Sequence, residues 1–463
     1  MFKFGTDGWR ARIADDFTFD NLRLVTEGFI AYLKEQGLDK KGIAVGYDNR
    51  FQSEDFARVA AEVCSGAGLK VFLTKSSVPS PVVSYSVKNM GLAAGIMITA
   101  SHNPPDWNGF KIKESFGGSA FPETTKAVEA LIPQNPGSLS EKNIEVFDPQ
   151  PEYIKKIASL VDLELIKASK LKLMVDPMHG SGAGYFAALG LPIEEIRGWR
   201  DPLFGGVNPE PLPVNLEESI SAVKETALKY SSELTGCIVL DGDADRVAAI
   251  DGSGRFINTH NVFCLLLRHL VVHRGMGGNV VKTFNMSQLI DKLCRLYERK
   301  LQVTPIGFKH VADLMLKQDI LLGGEESGGM GIKGFIPERD GVLAGLNLFE
   351  LMAYEKKTMG QILDEMMSEH GYFYYNRADI HTEKAKSLVE ELKKSPPKEF
   401  AGKPVARIET LDGYKLIFED ESWILFRASG TEPLLRVYVE GRSDQDVKLI
   451  LAAGDELVTC SST

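Results

Sequence analysis

At 463 residues the chain exceeds one ordinary core, and about 150 residues per domain predicts roughly three domains, with two to four allowed. Hydrophobic residues at 44% and charged residues at 25% exclude a disordered chain, and 44 Gly with 21 Pro in no fixed period exclude collagen. Lys and Arg number 53 against 63 Asp and Glu, a net charge of −10 that argues against general binding to nucleic acid or an anionic membrane and leaves only a local basic pocket open.

The start, Met1-Phe2-Lys3-Phe4-Gly5-Thr6-Asp7, has no apolar core of a secretory signal, so a cytoplasmic location is expected. Residues 42–48 form an apolar run ending in Asp48-Asn49-Arg50, the pattern of a buried parallel strand. Phe56, Val59, Ala60 and Val63 then make one face of a helix. A second strand over 92–99 leads into Ser101-His102-Asn103-Pro104, and after Pro133, Pro136 and Pro149 a helix is predicted over 153–161. Further strands are predicted over 171–176, 237–240 and 279–282, with Ile220, Val223 and Ala227 as a helix face between them. The apolar stretch 262–272 is interrupted by Arg268 and His269 and is too short to span a bilayer. A charged helix over 382–393, a break at 394–398 and alternating strands from Val405 form a tail of different character. Strand alternating with helix predicts an α/β architecture with a small α+β domain appended. Polar turns after strands near residues 48, 176 and 285 raise the hypothesis of three related units, although no strict repeat supports it. The five cysteines, Cys64, Cys237, Cys264, Cys294 and Cys460, form no CxxC pair and suggest neither a zinc knuckle nor a disulfide framework.

Four motifs could carry chemistry. Thr99-Ala-Ser101-His102-Asn103-Pro104 places a serine at the carboxyl end of a strand, where open α/β sheets bind ligands, although an Asn-Pro turn capped by serine is the plainer alternative. Its context is not GxSxG, and a glycine turn at Gly109 can fold Lys111 back toward the serine. Asp241-Gly-Asp243-Ala-Asp245-Arg246 offers three carboxylates at alternate positions after a strand, a set that can converge on one hard cation. An EF-hand is rejected because its sixth and twelfth positions are Arg246 and Gly252. Gly323-Gly-Glu325-Glu326-Ser327-Gly328-Gly329 combines glycines with a carboxylate and a hydroxyl, suited to a polyhydroxy ligand or to a merely flexible loop. Arg427-Ala-Ser429-Gly430-Thr431-Glu432-Pro433 with Arg436 is either a phosphate cradle or a salt-bridged surface turn. A dinucleotide fingerprint at 180–185 fails because Tyr185 stands where glycine is required, and no P-loop is present.

Together with Phe4-Gly-Thr-Asp-Gly-Trp-Arg10, these motifs in this order resemble the α-D-phosphohexomutase superfamily over residues 4–440. The resemblance implies three α/β domains with mixed sheets (1–148, 149–250 and 251–368) and a C-terminal α+β domain (369–463) resembling the TATA-binding-protein-like fold, heart-shaped around a central cleft. It implies a phosphorylated Ser101 beside Mg²⁺ held by Ser101, Asp241, Asp243 and Asp245; Lys111 as acid/base; and His102 and Arg10 around the phosphoserine. Arg246 would place the transferring group, Glu325 and Ser327 would bind sugar hydroxyls, and Arg427, Ser429, Gly430, Thr431 and Arg436 would hold the other phosphate. Lys282, Gly307, Lys309 and Arg339 complete the implied substrate-binding set. Where some relatives carry a histidine, this chain has Gly329 or Gly334-Phe335-Ile336-Pro337, so no second acid/base is named; Arg339 or Lys309 would substitute electrostatically, though arginine is a poor proton shuttle.

The activity so implied is interconversion of hexose 1-phosphate and hexose 6-phosphate through glucose 1,6-bisphosphate, with glucose preferred and mannose accepted. Phosphoglucosamine mutase is the alternative within the family. A non-catalytic sugar-phosphate-binding regulator and a metal-dependent phosphatase are the alternatives from other classes. The partners expected are small sugar phosphates, with no nucleic acid and no membrane, and the sequence leaves monomer and dimer open.

Overall fold

The computed structural model of the protein describes residues 2–5, 7–230, 234–430 and 433–460. They form two compact units, one of Met1–Gly278 with Gly307–Gln361, the other of Asn279–Ile306 with Ile362–Thr463.

The first unit holds two mixed sheets. One runs in the order Trp9–Arg12, Trp107–Glu114, Ala94–Ile98, Ile43–Tyr47, Val71–Thr74, Ile144–Phe147, parallel from Ala94–Ile98 outward and antiparallel at Trp107–Glu114 and Trp9–Arg12. Every residue of Ile43–Tyr47 and Ala94–Ile98 is buried, because helices cover both faces, and this is why both strands read as unbroken apolar runs. Helix Ser53–Gly66 packs through Phe56, Ala60 and Val63, while Phe17, Phe29 and Phe110 fill the same core. The other sheet runs Phe256–Ile257, Val247–Asp251, Thr235–Leu240, Lys172–Asp176, Ile193–Glu195, with the last three strands parallel. An antiparallel pair, Ile320–Gly324 with Met330–Ile332, completes the unit's strands that matter for the site. Strands Ala94–Ile98, Thr235–Leu240 and Ile320–Gly324 each run directly into one of the motifs: serine, aspartate and glycine-rich in turn.

The second unit carries the parallel pair Asn279–Thr283 and Leu301–Thr304. Its larger sheet is six-stranded and antiparallel, ordered Tyr374–His381, Leu434–Gly441, Trp423–Ala428, Tyr414–Phe418, Lys403–Glu409, Glu399–Phe400. Leu388, Val389 and Leu392 of helix Ala385–Lys394 pack on this sheet with Ile424, Phe426 and Val437.

Three boundaries differ from the sequence expectation. The helix expected over 153–161 is Gln150–Ala158, because Pro151 fits a first turn, where its missing N–H is not needed. The helix expected from 382 begins at Ala385, since the Thr382 amide still donates to Pro433 O and its hydroxyl accepts from the Lys384 amide at 3.2 Å. The strands expected from Val405 start at Lys403. Over 262–272, helix Thr259–Arg268 passes into a π-helical turn, His269–His273, and no helix of the described residues is long and apolar enough to cross a membrane. Cys64, Cys237, Cys264 and Cys294 are buried and in no disulfide.

One buried ion pair anchors the second sheet. Asp176, wholly buried at the end of Lys172–Asp176, accepts from Arg197 Nε at 3.0 Å, from Arg197 Nη2 and from the Ser219 hydroxyl. Arg197→Ala leaves that carboxylate without its cation and should lower stability by about 3–5 kcal/mol. Urea unfolding followed by tryptophan fluorescence reads this, and a loss under about 1 kcal/mol would contradict it.

Candidate active site

Ser101 is buried and has φ of 54°, a left-handed conformation that a serine holds only when its surroundings enforce it. The enforcing group is Arg50, whose buried guanidinium donates to the carbonyls of Ser101 (2.7 Å), Asn103 (2.6 Å), Pro104 (2.7 Å) and Trp107 (3.1 Å). Its Nε lies 3.2 Å from Asp48 Oδ2, which accepts from the Thr99 hydroxyl at 2.5 Å; that hydroxyl accepts from the Ser101 amide at 2.9 Å. Arg10 adds a bond from Nη1 to Asn103 Oδ1 at 2.7 Å. Ser101 Oγ donates to Asp241 Oδ2 at 2.8 Å and lies 3.5 Å from His102 Nδ1. The two loops meet this closely because residue 242 is glycine: a Cβ there would lie 2.5 Å from the Ser101 carbonyl oxygen. Desolvation first, then Arg246, Arg10 and Lys111, hold His102 well below the usual imidazole range, so it is neutral at pH 7.

Lys111 lies mid-strand opposite Met97, fully buried, with Nζ 2.8 Å from Asp243 Oδ2, 2.9 Å from Asp7 Oδ2 and 3.5 Å from Asp245 Oδ2. Burial works against its charge, but Asp243, Asp7 and Asp245 together outweigh burial and hold the ammonium above the usual lysine range. Burial likewise works against charge on Asp243, and the Lys111 cation with hydrogen bonds from Lys111 and Ser80 overcomes it, keeping Asp243 ionised far below the carboxylate range. Asp241 goes the other way: burial, then the Asp243 and Asp245 charges, push its carboxyl well above the usual range. Asp245 is also raised, by burial first, with Arg339 opposing.

Arg339 closes the network. Its Nη2 is 2.8 Å from both Asp7 Oδ2 and Asp245 Oδ2, and its Nη1 donates to Glu325 Oε1 at 3.1 Å. The glycine-rich turn is joined to the aspartate loop through its backbone, for Val247 N donates to Gly328 O at 3.1 Å and Arg246 bridges Gly329. Within that turn the Ser327 hydroxyl is buried with no hydrogen-bond partner.

Asp241, Asp243 and Asp245 are the one group among the described residues able to hold a metal ion, each offering an oxygen within 4.8 Å of the others. Asp243 Oδ1 and Asp245 Oδ1 are buried without a hydrogen-bond partner, a costly arrangement for acceptors that are normally satisfied. A divalent cation would satisfy both and remove the repulsion felt at Asp241, so these residues fit such an ion.

Of the residues expected in the site, Ser101, His102, Lys111, Arg10, Asp241, Asp243, Asp245, Arg246, Glu325, Ser327 and Arg339 all belong to the first unit, and the contacts above link most of them. Gly307 caps helix Phe308–Lys317 with φ of 125°, and Lys309, half-buried in its first turn, makes no ion pair with the aspartates. Lys282 belongs to the second unit, buried, donating to Ser287 O at 2.9 Å and paired with Asp291. Arg427 and Arg436 stand directly opposite on adjacent strands of that unit, with Ser429 and Gly430 just beyond; Thr431 lies outside the described residues. Like charges directly opposite destabilise a sheet unless an anion lies between them. Sequence alone assigns no role to Asp7, Asp48 or Arg50. The turn Asp48-Asn49-Arg50 after a buried strand is the one signal for the latter two.

Four family models match consecutive parts of the chain: phosphoglucomutase/phosphomannomutase alpha/beta/alpha domain I over residues 1–137, domain II over 151–254, domain III over 258–370 and the C-terminal domain over 385–456. A phosphoglucomutase/phosphomannomutase of Thermococcus kodakarensis is 30% identical, with 98% of each chain covered. A probable phosphoglucosamine mutase of Methanothermobacter thermautotrophicus is 29% identical, over 96% of this chain and 95% of that one. Among solved structures, a putative phosphomannomutase from Thermus thermophilus superposes with a TM-score of 0.88 at 35% identity, covering 99% of both chains.

Asp243→Asn removes one charge from the aspartate group and from the Lys111 pair. Divalent-cation affinity should fall at least about tenfold, read by calorimetric titration of the purified protein. An unchanged titration curve would place the ion elsewhere.

Proposed function

We propose that this chain, which belongs to the phosphoglucomutase/phosphomannomutase family, interconverts hexose 1-phosphate and hexose 6-phosphate through a phosphorylated Ser101 and a sugar 1,6-bisphosphate, with glucose preferred and mannose accepted. The observation that carries this reading is the Ser101 hydroxyl 2.8 Å from Asp241, in a buried cluster that also holds Lys111 2.8 Å from Asp243. A binder of sugar phosphates needs neither a serine held in a strained conformation nor a charged lysine buried among aspartates. Our domain assignment is 1–148, 149–250, 251–368 and 369–463.

Phosphoryl transfer spreads negative charge over the moving group, so the protein's task is positioning and electrostatic support. In the forward half-reaction the phosphorus–Oγ bond of phosphoserine breaks and a bond to a sugar hydroxyl oxygen forms. The hydroxyl's proton passes from the sugar to solvent water, and Ser101 Oγ gains one. Lys111, which carries a proton and lies in the same buried cluster, is assigned to give that proton, and in the reverse half-reaction it takes it back. Arg246 and Arg10 supply fixed positive charge beside the serine, and neutral His102 offers a hydrogen bond to its oxygen. Mg²⁺ on Asp241, Asp243 and Asp245 would neutralise charge on the phosphoryl oxygens when bound. Glu325 and the unpartnered Ser327 hydroxyl are assigned to sugar hydroxyls, together with Gly307 and Lys309. Arg427, Ser429, Gly430, Thr431 and Arg436 are assigned to the phosphate that stays on the sugar. Lys282, paired with Ser287 and Asp291, is assigned a supporting part in that subsite. Glucose 1,6-bisphosphate would then serve as activator, phosphorylating Ser101.

Phosphoglucosamine mutase activity is the second reading, favoured by the names of several relatives. A 2-amino group would seek a free carboxylate, and Glu325 is already paired with Arg339 at 3.1 Å. Glucose and mannose differ only at C2, where one unmade hydrogen bond costs about 1–3 kcal/mol, or roughly five- to 150-fold in specificity. The test is kcat/KM for glucose, mannose, glucosamine and N-acetylglucosamine 1-phosphates with the 1,6-bisphosphate present. Glucose should lead, mannose should follow within that range, and a lead for glucosamine would replace this reading with the second.

Ser101→Ala should abolish turnover and leave the thermal midpoint nearly unchanged, since a loop hydroxyl contributes little to the core. Intact-mass measurement should find one phosphate on the wild type and none on the variant. Residual mutase activity in the variant would remove Ser101 from the mechanism.

A further inference from the structure

Asp412 sits in the tight turn between Lys403–Glu409 and Tyr414–Phe418, a turn that requires Gly413, whose φ is 113° and whose added Cβ would lie 2.5 Å from Phe426 O. Its two carboxylate oxygens serve two different segments. Oδ1 accepts from Arg427 Nε at 3.0 Å, and Oδ2 accepts from the backbone N–H of Ile306 at 2.8 Å. Ile306 closes the segment that leaves strand Leu301–Thr304, and its side chain packs with Phe284, Ile417, Trp423, Leu425 and Tyr438. That segment is tied again where Phe284 N donates to Thr304 O at 2.9 Å and Lys415 Nζ donates to Phe284 O at 3.0 Å. Arg427 stands opposite Arg436, whose own carboxylate, Asp379, is 3.8 Å away. Both Asp412 and Arg427 are about four-fifths buried, a setting in which a lone ion pair contributes modestly to stability but fixes direction well.

We propose that Asp412 is a positioning residue: with one oxygen it aims the Arg427 guanidinium and with the other it pins the backbone at Ile306, next to Gly307. One carboxylate then holds both, and neither adjusts without the other. This rests on the reading of Arg427 as a phosphate ligand, and it adds a residue that touches neither phosphate nor sugar.

Asparagine separates the two duties, because Arg427 and Ile306 donate to different oxygens and the amide puts an NH2 donor in place of one of them. Asp412→Asn should raise KM for glucose 1-phosphate about tenfold with kcat within about twofold, and should shift the glucose-to-mannose kcat/KM ratio. Asp412→Glu, which keeps both acceptor oxygens, should recover part of the loss. Combined with Arg427→Ala, Asp412→Asn should raise KM no further than Arg427→Ala does alone, the signature of acting through that arginine. A purely structural Asp412 would lower the thermal midpoint and leave KM and the sugar ratio at wild-type values, which overturns the proposal. Additive KM effects in the double variant overturn it as well. If Arg427→Ala itself leaves KM unchanged, the phosphate role of Arg427 falls and this proposal with it. If Arg427→Ala raises KM and Asp412→Asn does not, only the coupling is refuted. Should the asparagine variant fold poorly, Asp412→Ala, read alongside thermal midpoints, should raise KM for glucose 1-phosphate and shift the sugar ratio, and wild-type values for both overturn the proposal.

Discussion

Asp7, Asp243 and Asp245 could not share one buried site without the two cations wedged between them. Lys111 touches all three within 3.5 Å, and Arg339 touches Asp7 and Asp245 at 2.8 Å each. Removing charge from water is expensive, and the interior returns that cost only when every charge has a close partner of opposite sign. The consequence reaches far beyond the five side chains. Strand Trp107–Glu114, the turn around Asp7, the aspartate loop and the loop before helix Gly341–Glu355 must all arrive at one point. The folds of these elements are therefore subordinate to a charge arrangement that is itself incomplete. Three aspartate oxygens, Asp243 Oδ1 and both of Asp245, have no hydrogen bond, and Asp241 is pushed toward its neutral form, a set whose charge a cation would balance.

The serine loop solves a different problem by the same means. A left-handed serine is strained by its own backbone, and four carbonyls converging on one guanidinium hold it. Arg50 cannot lose its charge and presents donors in a rigid fork, so the loop keeps its shape whatever the charge state of Ser101. Asp48 keeps that fork aimed, and Thr99 passes the constraint on to the Ser101 amide. Preorganisation of this kind matters in phosphoryl transfer, where geometry and fixed charge do most of the catalytic work.

Strand-to-turn transitions were legible in the sequence because burial on both faces writes them as unbroken apolar runs, as at Ile43–Tyr47 and Ala94–Ile98. The aspartate loop was legible for another reason: three carboxylates in five residues have few physical explanations. Helix starts were less so, since Pro151 suits a first turn as well as a break, and Thr382 still belongs to a strand pairing whose partner lies some fifty residues on, at Pro433. Asp7, Arg50 and Asp412 were not legible as functional groups at all. Each acts through partners distant in the chain, and a lone charged residue beside a glycine or a strand end has too many ordinary uses to be singled out. Arg50 reaches Trp107, Asp7 reaches Arg339, and Asp412 reaches Ile306. Only the folded chain brings these ends together.

Gly329 shows how a departure from a family pattern becomes intelligible once the neighbours are known. Taken alone, a glycine where some relatives have histidine looks like a missing acid/base. In the structure the Arg339 side chain runs directly over this glycine: a Cβ at 329 would lie 2.2 Å from Arg339 Cδ and 2.7 Å from its Cγ. A side chain at 329 would collide with Arg339 as it is placed here. The space beside the glycine is filled by a permanent charge rather than by a group that can carry a proton. Arg339 gives Asp7, Asp245 and Glu325 a common partner. Among the described residues, Lys111 is the one cation in direct contact with these aspartates that can give up its proton, since the others are arginines. Its acidity is set by the carboxylates around it. Whatever reduces their charge, a bound cation above all, makes that proton easier to release.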